Sequence, residues 1–390
     1  MTSPGGDLGR APLGGVMKKL LLAVLFCLGG AAQGAQDWSL TLDEAQMAEA
    51  AGLYEQNCAL CHGEDRSGYA ADHAPSLKSP QLLSTGFPSH LRAAIGYGRR
   101  GTAMAAYSEE MGGPLSREQM NILTRWLVQV EGIEPLKLSG EAVEGDAQAG
   151  AQTYGALCAN CHGDQGQGVY APAIGDQSLL ANASDAFLKY ALEHGREGTP
   201  MGSYTKLLGE KGVNDVVAYL RSQASGWAPD PIKLRTPPTP DQYVLNPEGE
   251  DPNFTIRVEY QEKRYKTDGP YEGRYVPAAE VVKALEEKKR FILLDTRPAS
   301  AWQRSHIPGA VPMPYYRDKE RATDLQLPDP SEGVMIVAYC ACPHAASDYV
   351  INNLRELGYP AELTAVIDEG ILVWTAMGLP VVAGESLASN

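Results

Sequence analysis

Two stretches of the chain carry the same reactive residues at the same spacing. Each has two cysteines separated by two residues and followed at once by a histidine. The residues are Cys58, Cys61 and His62 in the first motif and Cys158, Cys161 and His162 in the second motif. Two thiols on one turn can bond both vinyl groups of one porphyrin, and the adjacent histidine supplies an axial nitrogen to iron. The pattern therefore predicts two covalently attached haem c groups.

Each motif is followed by a methionine in a matching context. Met104 and Met201 each stand two residues after the threonine of a Gly-Thr-x-Met sequence. A thioether opposite an imidazole raises the reduction potential of haem iron and closes it to other ligands, which suits electron transfer. The expected axial pairs are His62 with Met104 and His162 with Met201. We interpret the alternative distal ligands, His90 and His194, as hydrogen-bonded surface imidazoles.

A third cysteine pair cannot attach haem, because Cys340 and Cys342 are separated by one residue, with His344 two positions further on. Three interpretations stay open. Cys340 carries sulfane sulfur while Cys342 resolves the persulfide or forms a labile disulfide, which makes both residues catalytic. The set with His344 binds Cu(I) or another thiophilic metal, which thiolates select. The third is an inactive module that binds a partner.

The elements around the two motifs also repeat. Tyr54 and Tyr154 each precede the first cysteine of a motif by four residues, one helical turn back. Thr41 with Glu44, and Ser116 with Gln119, form capping-box patterns that predict helix starts. The second of these helices is expected to bury one face, formed by Leu123, Trp126, Leu127 and Val130.

Composition excludes one class of partner. The 390-residue chain has 44% hydrophobic residues, enough for several cores, and a formal net charge of −15. That balance leaves no basic surplus to neutralise nucleic-acid phosphates. An acidic surface suits basic redox proteins as electron donor and acceptor.

The N-terminal pattern is typical of a secretory signal. Lys18 and Lys19 precede an apolar run, residues 20–32, which is too short to span a bilayer and is followed by small residues. Residues 1–16 fit an upstream extension. We expect a periplasmic or otherwise extracytoplasmic protein with no stable membrane span in the mature chain.

Proline and glycine become frequent between residues 225 and 272, which predicts a stiff, extended connector. Beyond it, a helix over 277–289 and apolar strands over 291–294 and 334–339 alternate. Buried strands that alternate with helices favour an α/β domain with a parallel sheet.

These residues carry two family resemblances. Residues 41–222 resemble two tandem class I cytochrome c domains, which implies small all-α folds in which the carbonyl of Pro75 or Pro172 orients the motif histidine. Residues 275–385 resemble a rhodanese-like domain, on the evidence of the segments 291–297, 306–310 and 370–374 and of Tyr339-Cys340.

In the rhodanese-like family, a cysteine at the position of Cys340 lies in a loop of inward-facing amides before a helix N-terminus. Such a loop stabilises a thiolate or persulfide and accepts an oxyanion such as thiosulfate. The arginine and glycine that many members carry there are missing from residues 340–348. This departure weakens the expectation of thiosulfate-to-cyanide transfer.

The predicted protein is multidomain, with two all-α cytochrome c domains and one α/β rhodanese-like domain with a parallel sheet. The expected segments are a signal at 1–35, cytochrome c domains at 36–132 and 145–224 with a linker at 133–144, a proline-rich linker at 225–272, and a rhodanese-like domain at 273–386. Electron transfer is the minimum activity. A sulfur-compound oxidoreductase or sulfurtransferase activity at Cys340, with a small sulfur compound as substrate, is the hypothesis for the rest.

Overall fold

A computed structural model describes residues 41–68, 74–227, 238–261, 271–316, 327–341 and 344–382. The expected signal at 1–35 and one expected catalytic residue, Cys342, lie outside the described residues. Within those ranges, every helix falls short of the combined length and apolarity needed to cross a bilayer.

The first half of the described chain is helical and repeats one arrangement. The first copy contains α1 Glu44–Asn57, α2 Ala59–His62, α3 Pro80–Gly86, α4 Ser89–Tyr97 and α5 Arg117–Val130. The second copy contains α6 Ala147–Leu157, α7 Ala159–His162, α8 Gln177–Asn182, α9 Asp185–His194 and α10 Thr205–Ser222. In both copies a long helix leads into a single turn that carries the cysteines and the histidine.

The first and last helices of each copy pack through aromatic rings. The ring centroids of Tyr54 and Trp126 are 5.2 Å apart, and those of Tyr154 and Tyr219 are 5.0 Å apart. These pairs join α1 to α5 and α6 to α10, and so fix the helix that delivers each motif.

The predicted capping box at Ser116 and Gln119 is confirmed at the start of α5. The box predicted from Thr41 is wrong, because α1 is capped by Asp43, whose carboxylate accepts the backbone N–H of Gln46 at 2.8 Å. Both residues can cap, but only Asp43 stands directly before the first helical residue. Val130 is also not buried as expected, since it is the last residue of α5 and its side chain is exposed.

The C-terminal part of the described chain is built on one sheet. Its strands are β1 Val244–Leu245, β2 Arg257–Gln261, β3 Tyr271–Val276, β4 Phe291–Asp295, β5 Val311–Pro312, β6 Met335–Tyr339 and β7 Thr364–Ile367. Its helices are α11 Ala278–Glu286, α12 Ala299–Arg304, α13 Ala345–Glu356 and α14 Gly370–Ala376. The strand order is β1-β4-β6-β7-β3-β2, and β5 also pairs with β4.

The sheet is mixed rather than purely parallel. The central strands β4, β6, β7 and β3 are parallel, whereas β1 and β2 pair antiparallel with β4 and β3. Both antiparallel strands come from the segment expected to be an extended linker. Neither strand could be predicted from hydrophobic periodicity. Only two residues of β1 pair with β4, which is too short for an alternating pattern, and β2 is exposed and has no apolar run.

The central strands are apolar because both sheet faces are covered. In β4, Ile292 and Leu294 pack into one core together with residues of α13, while Phe291 and Leu293 pack into a second core with residues of α11 and α14. Alternate side chains of a strand point to opposite faces, so a continuous apolar run is what two covered faces require.

Candidate functional site

The first motif lies where α1 ends and α2 begins. The N–H of Cys58 donates to the carbonyl of Tyr54 at 2.8 Å, and the N–H of His62 donates to the carbonyl of Cys58 at 2.9 Å. The buried Tyr54 hydroxyl donates to the carbonyl of Gly63 at 2.6 Å. The tyrosine one turn before the motif therefore holds the turn that follows it, which explains its place in the repeat.

The second motif has the same geometry. The N–H of His162 donates to the carbonyl of Cys158 at 2.9 Å. The Tyr154 hydroxyl donates to the carbonyl of Gly163 at 2.7 Å. The two motifs are thus structural copies as well as sequence copies.

Both motif histidines are oriented by a proline carbonyl. The Nδ1 atoms of His62 and His162 lie 2.9 Å and 2.8 Å from the carbonyl oxygens of Pro75 and Pro172. Burial lowers the pKa of each imidazole, an effect that the bond to the proline carbonyl opposes. A neutral ring that donates from Nδ1 keeps a lone pair on Nε2, the form in which histidine binds a metal.

The loop that carries Met104 is closed by backbone bonds. The N–H of Met104 donates to the hydroxyl of Thr102 at 3.1 Å, and its carbonyl accepts the N–H of Arg99 at 2.7 Å. Gly98 has a φ of +65°, and a Cβ there would lie 2.4 Å from the Met104 carbonyl oxygen. Glycine is therefore required for this close approach.

The loop that carries Met201 repeats these contacts. Its N–H donates to the hydroxyl of Thr199 at 3.1 Å, and its carbonyl accepts the N–H of Arg196 at 2.7 Å. A Cβ on Gly195 would again lie 2.4 Å from the methionine carbonyl oxygen. The Gly-Arg-x-Gly-Thr-x-Met sequence is thus one structural unit used twice.

Each methionine belongs to the same apolar cluster as a motif cysteine. Met104 and Cys58 pack in the core of the first copy, and Met201 and Cys158 pack in the core of the second. Two thiols, a neutral imidazole and a thioether around an apolar core are the groups that a covalently attached haem requires. The residues of both copies therefore fit this cofactor.

The two distal alternatives differ from each other. His194 is exposed as expected, but the expectation of a surface imidazole is wrong for His90, which is buried. The His90 ring lies 4.3 Å from the ring of Phe187 in the second copy, and its Nδ1 has no hydrogen-bond partner among the described residues. Burial, with the nearby charges of Arg99 and Arg196, lowers the pKa of His90 to about 3.

Cys340 directly follows β6 in the C-terminal domain. The cysteine is buried, and its Sγ lies 3.5 Å from the hydroxyl of Ser347 in the first turn of α13. Its carbonyl accepts the N–H of Ile371 at 2.9 Å. The residue thus lies between a strand end and a helix N-terminus, as the resemblance implied.

His344 is partly buried by its contacts with two other side chains. Its Nε2 lies 3.0 Å from the Asp368 carboxylate, and its ring stacks on Tyr275 at 3.9 Å. Burial alone would raise the pKa of Asp368, but Arg257 and His344 hold it below its ordinary value. Within the described ranges no three His, Cys, Asp or Glu side chains are placed to hold a metal ion. The copper alternative depends on Cys342, which lies outside those ranges.

The helix that follows Cys340 contains a buried carboxylate that sequence reasoning missed. Asp348 accepts the hydroxyl protons of Tyr271 at 2.9 Å and of Tyr275 at 3.0 Å. Burial, with the Asp348 charge, raises the pKa of Tyr271 well above its ordinary value. The Tyr-x-x-x-Tyr spacing on β3 could have indicated that the two tyrosines share a partner, because it puts both phenols on one face of the strand.

Asp295 and Arg297 have structural contacts. The Asp295 carboxylate accepts the N–H of Arg297 at 3.0 Å and the Tyr339 hydroxyl at 2.8 Å, and it pairs with the Arg297 guanidinium at 2.6 Å. These bonds close the turn after β4.

The Cys340 core also contains a residue of the first motif. Leu60, between the two motif cysteines, packs in the cluster that holds Cys340, Tyr315 and Val350. The Tyr315 hydroxyl donates to the carbonyl of Asn57 at 2.5 Å. Sequence reasoning missed this contact between the first motif and the C-terminal domain.

Comparisons with known proteins divide the chain as the structure does, into two helical copies and a C-terminal α/β domain. The family profile described as "Cytochrome C oxidase, cbb3-type, subunit III" matches residues 45–127 and 145–220. The profile described as "Rhodanese-like domain" matches residues 278–377. Both cytochrome c matches include a complete Cys-x-x-Cys-His motif and its methionine.

Several characterised proteins resemble parts of the chain. The Cbb3-type cytochrome c oxidase subunit CcoP of Azospirillum sp. (strain B510) is 28% identical over 46% of this chain and 63% of its own length. The corresponding subunit of Azospirillum brasilense is 26% identical over the same shares. The chain therefore spans somewhat under two thirds of the length of these relatives.

Among solved structures, the rhodanese-like domain of an Anabaena sp. protein is 25% identical over 30% of this chain and 86% of its own, with a TM-score of 0.25.

Cytochrome c domains imply covalently bound haem c, which the paired motifs fit. The chain is a multidomain protein made of two cytochrome c domains followed by a C-terminal rhodanese-like domain.

Proposed function

We propose that this protein carries two haem c groups, transfers electrons outside the cytoplasm, and couples that transfer to the oxidation of reduced sulfur at Cys340. One observation carries the coupling: Cys340 and Leu60 of the first motif belong to one packed core. A packed core that connects the sulfur site to the haem-attachment turn supports this coupling.

The ligand sets proposed for iron are His62 with Met104 and His162 with Met201. They are supported by the matched bonds of the two copies and by the shared clusters of methionine and cysteine. Export is supported by the N-terminal pattern of Lys18, Lys19 and the apolar run after them. After export, the intact mass should show two haems, and any other number contradicts this part of the proposal.

The chemistry proposed at Cys340 is a two-electron oxidation of sulfide. The Cys340 thiolate and HS⁻ form an S–S bond, the S–H bond breaks, one proton goes to solvent, and two electrons leave. The product is a Cys340 persulfide, from which Cys342 is proposed to take the sulfur onward. Two bound haem c groups supply two one-electron acceptors, which matches this stoichiometry.

The surroundings of Cys340 suit a small substrate. The cysteine side chain is buried, and Ser347 supplies a hydroxyl near its Sγ. The N-terminus of α13 begins five residues later, and a helix N-terminus favours negative charge. Residues 340–348 include no arginine, so thiosulfate is a weaker candidate than sulfide.

The test is anaerobic addition of sulfide to the oxidised full-length protein while haem absorbance is followed. Wild type should be reduced, and the Cys340→Ser variant should be reduced much more slowly. Reduction of both proteins by dithionite is the control for intact haem sites. Equal rates of haem reduction by sulfide in the two proteins would contradict the sulfur proposal. They would favour an electron carrier whose rhodanese-like domain is an inactive binding module.

A further inference from the structure

The repeat lets the same surface be compared in the two cytochrome c domains. We define the first face as Asn57, Leu60, Ala106 and Tyr107, and the second face as the matching residues Leu157, Asn160, Ser203 and Tyr204. The match is structural. The N–H of Tyr107 donates to the Ile95 carbonyl at 3.0 Å, and the N–H of Tyr204 makes the same bond to Leu192 at 2.8 Å.

The first face is covered by the rhodanese-like domain. The Tyr315 hydroxyl contacts both the Tyr107 hydroxyl and the Asn57 carbonyl. The Ser300 hydroxyl donates to the carbonyl of Ala106. All four residues of the first face are buried, with Asn57 only 2% exposed. This contact surface includes both the motif turn and the loop after Met104.

The second face is open within the part of the chain that the structure describes. Leu157, Asn160 and Ser203 are exposed, and Leu157 is 38% exposed at the position where Asn57 is covered. Cys161 is exposed as well. Among the described residues, the same scaffold surface is therefore covered by another domain in the first copy and exposed in the second.

Two further exposed side chains with apolar surface lie next to the second face. Tyr170 is 69% exposed, and its N–H donates to the carbonyl of Cys161 at 3.0 Å, so it lies beside the second motif. Leu207 is 66% exposed, and its N–H donates to the carbonyl of Tyr204 at 3.1 Å. Clustered exposed apolar groups on a charged protein mark an interaction surface.

We propose that the second face is the docking site for an external redox protein with an apolar patch ringed by basic side chains. The first face shows that this scaffold surface already holds a protein domain against a haem-attachment turn. The net charge of −15 favours a basic partner, and transient redox complexes need only a small interface. The proposal does not depend on the sulfur chemistry at Cys340.

The test measures binding of a zinc-substituted basic monohaem cytochrome c to the haem-loaded full chain by calorimetry at low salt. Leu157→Lys removes the apolar side chain and adds a repelling charge, so the dissociation constant should rise by about tenfold or more. Leu357→Lys is the matched control, because Leu357 is 39% exposed on the rhodanese-like domain. That variant should bind within about twofold of wild type.

Three outcomes would overturn the proposal. One is unchanged binding by Leu157→Lys, and another is equal loss in both variants. The third is sedimentation evidence that wild type self-associates through Leu157, which would make a second copy of this chain the occupant. Failure of sulfide to reduce the protein would leave this result untouched, so the two proposals fail separately.

Discussion

The hydroxyl groups of Tyr107 and Tyr315 lie 2.7 Å apart, although the residues are 208 positions apart in the chain. Tyr315 has one hydroxyl proton, which it donates to the Asn57 carbonyl, so Tyr107 is the donor between the two phenols. Both rings are buried, and burial raises the pKa of both phenols well above the ordinary value. The pair joins the first cytochrome c domain to the rhodanese-like domain.

Tyr315→Phe should weaken this interface. The substitution leaves the Asn57 carbonyl and the Tyr107 hydroxyl buried without their partner, which costs about 1–3 kcal/mol. Chemical denaturation of the full-length protein, followed by tryptophan fluorescence, measures the effect. The control is Tyr260→Phe, since Tyr260 is 77% exposed and its loss should change stability by less than about 0.5 kcal/mol. Equal effects in the two variants would remove any special role for the phenol pair.

Gly98→Ala should displace the loop that carries Met104. An added Cβ would lie 2.4 Å from the Met104 carbonyl oxygen, a contact that only movement of the loop can relieve. We expect the long-wavelength charge-transfer band of methionine-ligated ferric haem to lose the contribution of the first site.

The matched control for this change is Gly101→Ala. Gly101 also has a positive φ, +74°, but nothing lies within 4 Å of an added Cβ. Both variants carry the backbone strain of about 1–2 kcal/mol, yet only Gly98→Ala carries the clash. Retention of the full band in Gly98→Ala would contradict the assignment of Met104.

His90→Leu should make the protein less sensitive to acid. Burial lowers the pKa of His90 from 6.5 to about 3, so between these values the unfolded chain binds a proton that the folded chain does not. The stability contributed by the neutral ring is therefore fully present above pH 6.5 and is lost as the pH falls toward 3. The slope is up to about 1.4 kcal/mol per pH unit, which denaturation at a series of pH values measures.

The variant should lack this part of the slope. His194→Leu is the control, because His194 is exposed and its substitution should leave the pH profile as in wild type. An unchanged profile in His90→Leu would mean that the ring is accessible to protons in the folded protein.

Local patterns in the sequence predicted the parts of the site that lie within one domain. The motif residues and the two methionines follow from spacing and from the repeat, since each copy folds around its own core. The role of the proline carbonyls was implied by the resemblance to class I cytochrome c domains. The burial of His90 could not be predicted in this way. It depends on Phe187, which the second copy supplies across the boundary between the two domains.

The same limit applies to the rhodanese-like domain. Its central strands were predictable, because a continuous apolar run such as 291–294 requires two covered faces. The contacts of Tyr315 with Asn57 and Tyr107 could not be predicted from the sequence around Tyr315. Two adjacent aromatic residues after a short strand are typical of the core of a single domain. The strand Arg257–Gln261 was missed because its side chains are largely exposed.

That strand and β1 form the two ends of the sheet, and both precede residue 278, where the family match begins. An open sheet edge is a template for pairing with another chain, and charged side chains such as Arg257 and Glu259 on an end strand discourage this. A fragment cut to residues 278–377 would lose β1, β2 and β3, and so would expose the edges of β4 and β7. We therefore expect such a fragment to aggregate more readily than the full chain.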